Sequence, residues 1–288
     1  MSSRRQRSSA RPASEHRTDS SLQGDQHSRA TGDGLVYSDH REYVPGDDTR
    51  RIDWRLYART GDLYVTQYEE ERNLTVHVLI DASASMDYGD GDAHKFDYGA
   101  KLGLGFAYLF GQEHNDFRVS VFGDDVSRLD TGPSNRGEVL ALVDRCNDID
   151  PDGETDFADA LAAYAGRIDS RSLVLVVSDF LADPDAVEDG LAALADNRLV
   201  LAHLLAPDER DPGVIGDAVF RDPETTETRR TYFGGRHAAA YRERLDGHVA
   251  TVADVGTDLR ATHARVDTGR QFFDAFADLW RDALAGGW

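Results

Sequence analysis

The chain has 288 residues, of which 40% are hydrophobic, and a formal net charge of -21. No apolar run approaches the roughly 20 residues that a membrane-spanning helix needs. The N-terminus also lacks the apolar segment of a signal peptide, so we expect a cytoplasmic protein without a membrane span. The acidity argues against nucleic-acid binding, and the single cysteine, Cys146, excludes an internal disulfide or a thiolate metal site.

The types of charged residue indicate that the protein is adapted to a solvent of high salt concentration. Lysine occurs only at Lys95 and Lys101, although Lys and Arg together number 32 against 53 Asp and Glu. This acidic, lysine-poor composition resembles that of proteins from salt-loving archaea, where the Debye length falls to about 3 Å at 1 M salt and self-repulsion is screened. We therefore interpret the acidity as adaptation to high salt and not as an acidic docking surface.

The first 73 residues differ from the rest. Residues 1–30 are rich in serine and arginine and predict a disordered polar tail. Residues 31–73 predict an N-terminal extension packed on a larger domain, because a segment this short rarely sustains its own core. Within it we expect a helix over 49–59, capped by Asp48 and ended by Gly61, followed by a strand over 63–68.

The main domain is predicted over residues 74–288. Its first strand, 74–81, has apolar residues on both faces, which is typical of a strand covered on both sides. Uninterrupted apolar runs at 173–177 and 199–206 predict two more central parallel strands. We expect the remaining elements in this order: helix 93–112, hairpin strands 117–122 and 126–129, helix 136–146, a helix ending at 168, helix 185–196, strands 218–221 and 229–233, helix 236–253, strand 257–262 and helix 270–284.

This order predicts an α/β fold with a doubly wound, mostly parallel central sheet flanked by helices. Three predicted loops offer oxygen ligands at one end of the sheet: Asp81, Ser83 and Ser85 after the first strand, Thr155 before a helix, and Asp179 after the strand 173–177. Ligands bind at the carboxyl ends of strands in such sheets. Hard divalent cations prefer oxygen, so we predict a site for Mg²⁺ with room for one outside ligand.

Simpler interpretations of the same residues exist. Asp81, Ser83 and Ser85 are also typical of turns that satisfy the backbone after a strand. Thr155 or Asp156 could cap the next helix, which would not exclude Thr155 as a ligand. Asp179 is a stronger indication of a bound cation or another charged group, because an unpaired charge at the end of a buried strand is costly. The ten histidines show no spacing typical of metal ligands.

The combination DxSxS, Thr155 and Asp179 resembles the metal-ion-dependent adhesion site (MIDAS) of von Willebrand factor type A domains. The segment Tyr43-Val44-Pro45-Gly46-Asp47-Asp48-Thr49-Arg50-Arg51-Ile52-Asp53-Trp54 is similar to the hallmark of the domain of unknown function family fifty-eight. In that family a type A-like domain follows this segment, often encoded beside a MoxR-type AAA ATPase. The resemblance covers residues 43–288. Glu154 departs from the pattern, since many type A domains have glycine there.

The resemblance implies a non-enzymatic protein-interaction module. It would bind Mg²⁺, or Mn²⁺ or Ca²⁺, at Asp81, Ser83, Ser85, Thr155 and Asp179, and recruit a carboxylate of a partner such as a MoxR-type ATPase. The alternative is a metal-dependent, phosphatase-like hydrolase with Asp81 as nucleophile. Such an enzyme needs an acid where this chain has Ser83, and no histidine or lysine lies close in the motif to act as base. A scaffold without metal is the third hypothesis, and the oligomeric state stays open.

Overall fold

The structure is a computed structural model that describes residues 35–45, 47, 49–70, 74–211, 213, 216–221 and 228–285. The tail predicted over residues 1–30 lies outside these residues. The chain divides between residues 71 and 72 into two compact units. None of the described helices combines the length and the apolar content needed to cross a membrane.

The N-terminal unit is a two-stranded antiparallel sheet with a short helix between its strands. Strand β1 (Leu35–Glu42) pairs with β2 (Tyr64–Glu70), and α1 covers Trp54–Thr60. The sequence predicted β2 but not β1, whose residues are mostly polar. Gly61, with φ of 80°, ends the helix as predicted.

The start of α1 corrects the sequence prediction. A single 3-10 turn covers Thr49–Arg51, and α1 begins only after Asp53. The Asp53 carboxylate accepts hydrogen bonds from the backbone N–H groups of Arg55 and Leu56, both at 2.9 Å. Asp53 is therefore the cap of this helix, whereas the predicted cap, Asp48, lies outside the described residues.

The main unit has the predicted α/β architecture. Its six-stranded sheet has the order β10-β7-β6-β3-β4-β5, and every neighbouring pair is parallel except β4 with β5. A separate hairpin joins β8 and β9. The strands are β3 (Thr75–Asp81), β4 (Asp116–Phe122), β5 (Val126–Arg128), β6 (Leu173–Ser178), β7 (Arg198–Leu205), β8 (Gly216–Arg221), β9 (Thr228–Phe233) and β10 (Thr262–Asp267).

Helices cover both faces of this sheet, so each face has its own apolar core. The helices are α2 (Lys95–Gln112), α3 (Arg136–Asn147), α4 (Phe157–Ala165), α5 (Pro184–Ala193), α6 (Pro207–Arg210), α7 (Gly235–Asp258) and α8 (Phe272–Ala285). The strand predicted over 257–262 is wrong. Leu245, Val249, Val252 and Gly256 are buried at helical spacing, which keeps α7 intact through Asp258 and moves β10 to Thr262.

Helix α2 packs unusually close to the sheet. A Cβ atom on Gly103 would lie 2.7 Å from Val78 Cγ1, and one on Gly99 would lie 2.8 Å from Leu204 Cδ1. This close approach explains why a helix retains glycines that weaken it by about 1 kcal/mol each. Cys146 is buried as predicted, and burial raises the pKa of its thiol to about 11, so it stays protonated near neutral pH.

The topology places a crevice at the carboxyl end of β3. From β3 the chain passes to β4 on one side, and it returns to β6 on the other side of β3. Strand order reverses at this point, and loops that leave neighbouring strands in opposite directions leave room for a ligand between them. The loops after β3 and β6 carry Asp81 and Asp179, respectively.

Candidate functional site

Asp81 is the centre of the hydrogen-bond network at this edge of the sheet. It is the last residue of β3, and only 2% of it is exposed. Its Oδ1 accepts from the Ser83 backbone N–H at 2.9 Å and from the Thr155 hydroxyl at 3.4 Å. Its Oδ2 accepts from the Ser178 hydroxyl at 2.6 Å. One carboxylate therefore connects three loops that are far apart in the sequence.

Two backbone hydrogen bonds hold the first two loops together. The Ala84 N–H donates to Gly153 O at 3.0 Å, and the Asp152 N–H donates to Ala82 O at 3.1 Å. Gly153 has φ of 79°, a conformation that glycine adopts at little cost. The loop after β3 and the loop before α4 are consequently fixed relative to each other by main-chain contacts, independently of their side chains.

Three hydroxyl groups surround Asp81 on this side. Ser83 Oγ lies 3.0 Å from Ser85 Oγ, and Thr155 Oγ1 contacts Asp81. Ser83 is fully buried, whereas Ser85 and Thr155 are half-buried and form the open side of the site. Asp156 caps α4 by accepting from the Asp159 N–H at 3.2 Å, so the cap does not use the Thr155 hydroxyl.

Asp179 lies at the same edge but belongs to a different cluster. Its Oδ1 accepts from the Leu181 N–H at 3.1 Å, and its Oδ2 accepts from Lys95 Nζ at 2.5 Å. Only 1% of Asp179 is exposed. Of the five predicted ligands, four lie in one network: Asp81, Ser83, Ser85 and Thr155. The fifth, Asp179, is instead bound by the Lys95 ammonium group.

Lys95 is a charged neighbour of Asp179 that the spacing of the motif did not indicate. It is the first residue of α2 and is fully buried. Its Nζ also donates to Glu209 Oε1 at 2.6 Å, and it lies 5.5 Å from the centre of the Tyr88 ring. Burial alone would lower the pKa of Lys95, but the carboxylates of Asp179 and Glu209 outweigh it and raise the pKa above its usual value. Lys95 is therefore a buried cation at neutral pH and cannot serve as a base.

The electrostatics of Asp81 favour a cation. Burial, followed by the neighbouring Asp179 carboxylate, raises the pKa of Asp81 to about 6, although hydrogen bonds from Ser178 and Ser83 oppose the rise. A carboxylate in such a place is stabilised by any positive charge that comes near it.

The donor set also fits a hard cation. One carboxylate and three hydroxyls are all oxygen donors, which Mg²⁺ prefers together with water. Among the residues that the structure describes, no group of three or more His, Cys, Asp or Glu side chains could hold a metal ion. A cation at this edge would therefore depend on hydroxyl oxygens as well as Asp81.

Comparisons with known proteins place the chain in a family. The family model described as "Protein of unknown function DUF58" matches residues 39–251. The chain belongs to the DUF58 family. A relative, the uncharacterized protein Rv1480 of Mycobacterium tuberculosis, is 26% identical over 273 residues, which is 91% of this chain and 83% of that protein.

Two solved structures are similar to this DUF58 chain. BatB from Bacteroides thetaiotaomicron, a conserved hypothetical protein, has a TM-score of 0.47 at 14% identity and covers 74% of this chain and 98% of its own. A von Willebrand factor type A protein from Catenulispora acidiphila has a TM-score of 0.44 at 12% identity and covers 78% of this chain and 45% of its own.

Sequence reasoning missed three polar residues of this DUF58 site: Ser178, Lys95 and Glu209. Ser178 donates to Asp81 and accepts from the Phe180 N–H at 2.8 Å, so it orients the central carboxylate. Phe180 has φ of 51°, which is uncommon for a residue with a side chain and turns the backbone back toward Ser178. For Ser178, the available signal in the sequence was its position directly before the predicted ligand Asp179.

Proposed function

We propose that this DUF58 chain is a non-enzymatic protein-interaction module that binds a divalent cation and recruits a carboxylate of a partner. Mg²⁺ is the first choice, with Mn²⁺ or Ca²⁺ as alternatives. The observation that carries the proposal is the convergence of Ser83, Thr155 and Ser178 on the buried Asp81 carboxylate, at 2.6 to 3.4 Å.

The residues of the site would have two roles, since some would hold the cation and others would orient its ligands. Asp81, Ser83, Ser85 and Thr155 would hold the cation, and Asp179 would contribute from behind the site, through water. When bound, the cation supplies a coordination position for an outside oxygen ligand. Ser178 keeps the Asp81 carboxylate in one orientation. Ser85 and Thr155 are half-buried, which gives an outside ligand its approach.

The proposed partner is a MoxR-type AAA ATPase, supported by the family resemblance of residues 43–54 and the type A-like domain that follows. We also propose that the two proteins meet in the cytoplasm at high salt, in keeping with the net charge of -21. Because cation and partner carboxylate would share one site, each should tighten binding of the other.

A thermal melt tests the cation. The full chain is heated in MgCl₂ or EDTA at matched ionic strength, together with Asp81→Asn and Asp156→Asn. The second variant is the control, because asparagine also caps helices and Asp156 lies next to Thr155 without contacting Asp81. We expect Mg²⁺ to raise the melting temperature of the wild type and of Asp156→Asn but not of Asp81→Asn. An equal response to Mg²⁺ and EDTA in the wild type would refute the cation claim.

A binding assay tests the partner. A purified MoxR-type ATPase from the same source is titrated with the wild type and the same two variants, with Mg²⁺ or with EDTA. The proposal expects binding that needs both Mg²⁺ and Asp81. Binding that survives EDTA and Asp81→Asn would show that this site does not recruit the ATPase.

The hydrolase alternative gains one observation, the buried lysine beside Asp179, since cationic side chains bind phosphate groups. However, the Lys95 ammonium is fully buried and already bound to two carboxylates. Metal-dependent turnover of a generic phosphate ester that is lost in Asp81→Asn would favour the enzyme. We expect no such turnover.

A further inference from the structure

Lys95 is an unusual residue for this chain. Lysine occurs at only two of the 288 positions, and this one is fully buried. Taking an ammonium group out of water costs several kcal/mol unless opposite charges replace the lost hydration. The Lys95 ammonium has two such partners, Asp179 at 2.5 Å and Glu209 at 2.6 Å, and Tyr88 covers it from one side.

These contacts connect the ends of three structural elements. Lys95 begins α2, Asp179 follows β6, and Glu209 lies in α6 directly after β7. Glu209 is fixed in turn, because its Oε2 accepts from the Ala206 N–H at 2.8 Å. The ammonium is therefore held in place by two carboxylates that are themselves anchored to the backbone.

Asp179 has no oxygen atom without a donor. Its Oδ1 accepts from the Leu181 N–H and its Oδ2 accepts from Lys95. The second carboxylate of the candidate site thus has a cation already, supplied by the chain itself. With all groups ionised, Asp81, Asp179, Glu209 and Lys95 together carry two negative charges instead of three.

We propose that the Lys95 ammonium is a built-in cation of the candidate site, which occupies Asp179 and thereby weakens the binding of a divalent cation beside Asp81. This inference rests on the proposed function. An ammonium beside Asp179 repels an incoming metal ion, and this repulsion is strengthened because Lys95 and Asp179 are both buried. The built-in charge also keeps the carboxylates together when no metal is bound, so the domain folds without one.

Three variants of the full chain separate this role from a merely structural one. Lys95→Met removes the charge and keeps an unbranched side chain. Lys95→Arg keeps the charge. Lys101→Met makes the same change as the first variant at the other lysine, which is exposed on the same helix. Each is measured in two ways: Mg²⁺ affinity by calorimetry, and melting temperature in EDTA at matched ionic strength.

We expect Lys95→Met to melt on the order of 10 °C lower than the wild type in EDTA, because two buried carboxylates lose their counter-charge. In the same variant we expect Mg²⁺ to bind about tenfold more tightly and to restore much of the lost melting temperature. Lys95→Arg and Lys101→Met should bind Mg²⁺ like the wild type. A purely structural ion pair would lower the melting temperature in EDTA without raising the affinity for Mg²⁺.

The outcomes distinguish this inference from the proposed function. If the wild type binds Mg²⁺ and Lys95→Met binds it no more tightly, the inference is wrong and the proposed function stands. If only Lys95→Met binds Mg²⁺, the inference holds and the wild-type module works without a metal. If neither binds Mg²⁺, both are wrong. Should Lys95→Met fail to fold in EDTA, recovery of the folded state by Mg²⁺ supports the inference, and failure to recover contradicts it.

Discussion

Two groups of buried polar residues around the central sheet differ in their hydrogen bonding: the cluster around Asp81 and the cleft that contains His77. At the carboxyl end, Asp81, Ser178 and Asp179 each have hydrogen-bond partners, and a buried ammonium balances part of the charge. Toward the amino ends of β3 and β6 lies a cleft of about 360 Å³ lined by uncharged side chains, by three arginines and by Asp169. In this cleft the fully buried Ser120 hydroxyl has no hydrogen-bond partner within the described residues.

Asp81, Ser178 and Asp179 thus form a network in which each side chain has a hydrogen-bond partner, whereas the Ser120 hydroxyl in the cleft has none within the described residues. A buried polar atom without a partner costs free energy, while removing one member of a complete network strands the others. The Asp81 cluster should therefore be sensitive to small changes, and the cleft should tolerate them. Substitutions of one serine in each place test this difference.

The largest effect is expected at Ser178. Ser178→Ala removes the donor to Asp81 Oδ2 and the acceptor of the Phe180 N–H, leaving two buried groups unsatisfied. We expect the free energy of unfolding to fall by about 2–4 kcal/mol, measured by urea denaturation in EDTA. A loss below about 1 kcal/mol would show that this hydrogen bond is replaceable and that the network is less constrained than the geometry indicates.

A medium effect is expected for the pH dependence due to His77, which shares a hydrogen bond of 2.8 Å with the Tyr164 hydroxyl in the cleft. Burial, and then the charge of Arg118, lowers the pKa of His77 from 6.5 to about 4. The folded protein therefore holds the neutral imidazole where the unfolded chain binds a proton. Stability should be fully present above pH 6.5 and fall by about 3 kcal/mol as the pH drops to 4.

The variant His77→Gln isolates this contribution from the other groups that titrate in acid. Its stability should fall less steeply between pH 6.5 and 4 than that of the wild type. The control is His114→Asn, which alters an exposed histidine just after α2 and should keep the wild-type slope, since asparagine also adopts the φ of 63° found there. Identical slopes for wild type and His77→Gln would mean that His77 does not titrate as its burial implies.

The smallest effect is expected at Ser120, a buried serine on β4. Ser120→Ala removes a buried hydroxyl that has no partner at hydrogen-bond geometry in the described residues. Its unfolding free energy should be unchanged or rise by about 1 kcal/mol. A loss as large as that of Ser178→Ala would contradict the proposed difference between the Asp81 cluster and the cleft.

The sequence was informative wherever the signal was local. Strands β3, β6 and β7 are apolar runs, and polar residues at their ends follow from the chain alone. The loop residues Asp81, Ser83 and Thr155 could be proposed as neighbours because parallel strands end at one edge of the sheet. The predicted start of α1 after Asp48 and the predicted boundary between α7 and β10 were wrong, since competing capping residues and short apolar segments give ambiguous local patterns.

The sequence was uninformative where long-range contacts decide the environment. A lysine at the start of a helix is usually exposed, and nothing near Lys95 in the chain indicates its burial. Its partners Asp179 and Glu209 lie 84 and 114 positions away. Only the folded arrangement of α2, β6 and β7 brings these charges together, so the cluster could not be predicted from spacing.

Direct measurement of Mn²⁺ binding by electron paramagnetic resonance tests the central claim, a cation site built around Asp81. The wild type, Asp81→Asn and the control Asp156→Asn are titrated at constant high ionic strength. We expect one Mn²⁺ per chain in the wild type and in Asp156→Asn, displaced by Mg²⁺ and absent in Asp81→Asn. No bound Mn²⁺ in the wild type, or equal binding in Asp81→Asn, would contradict this claim.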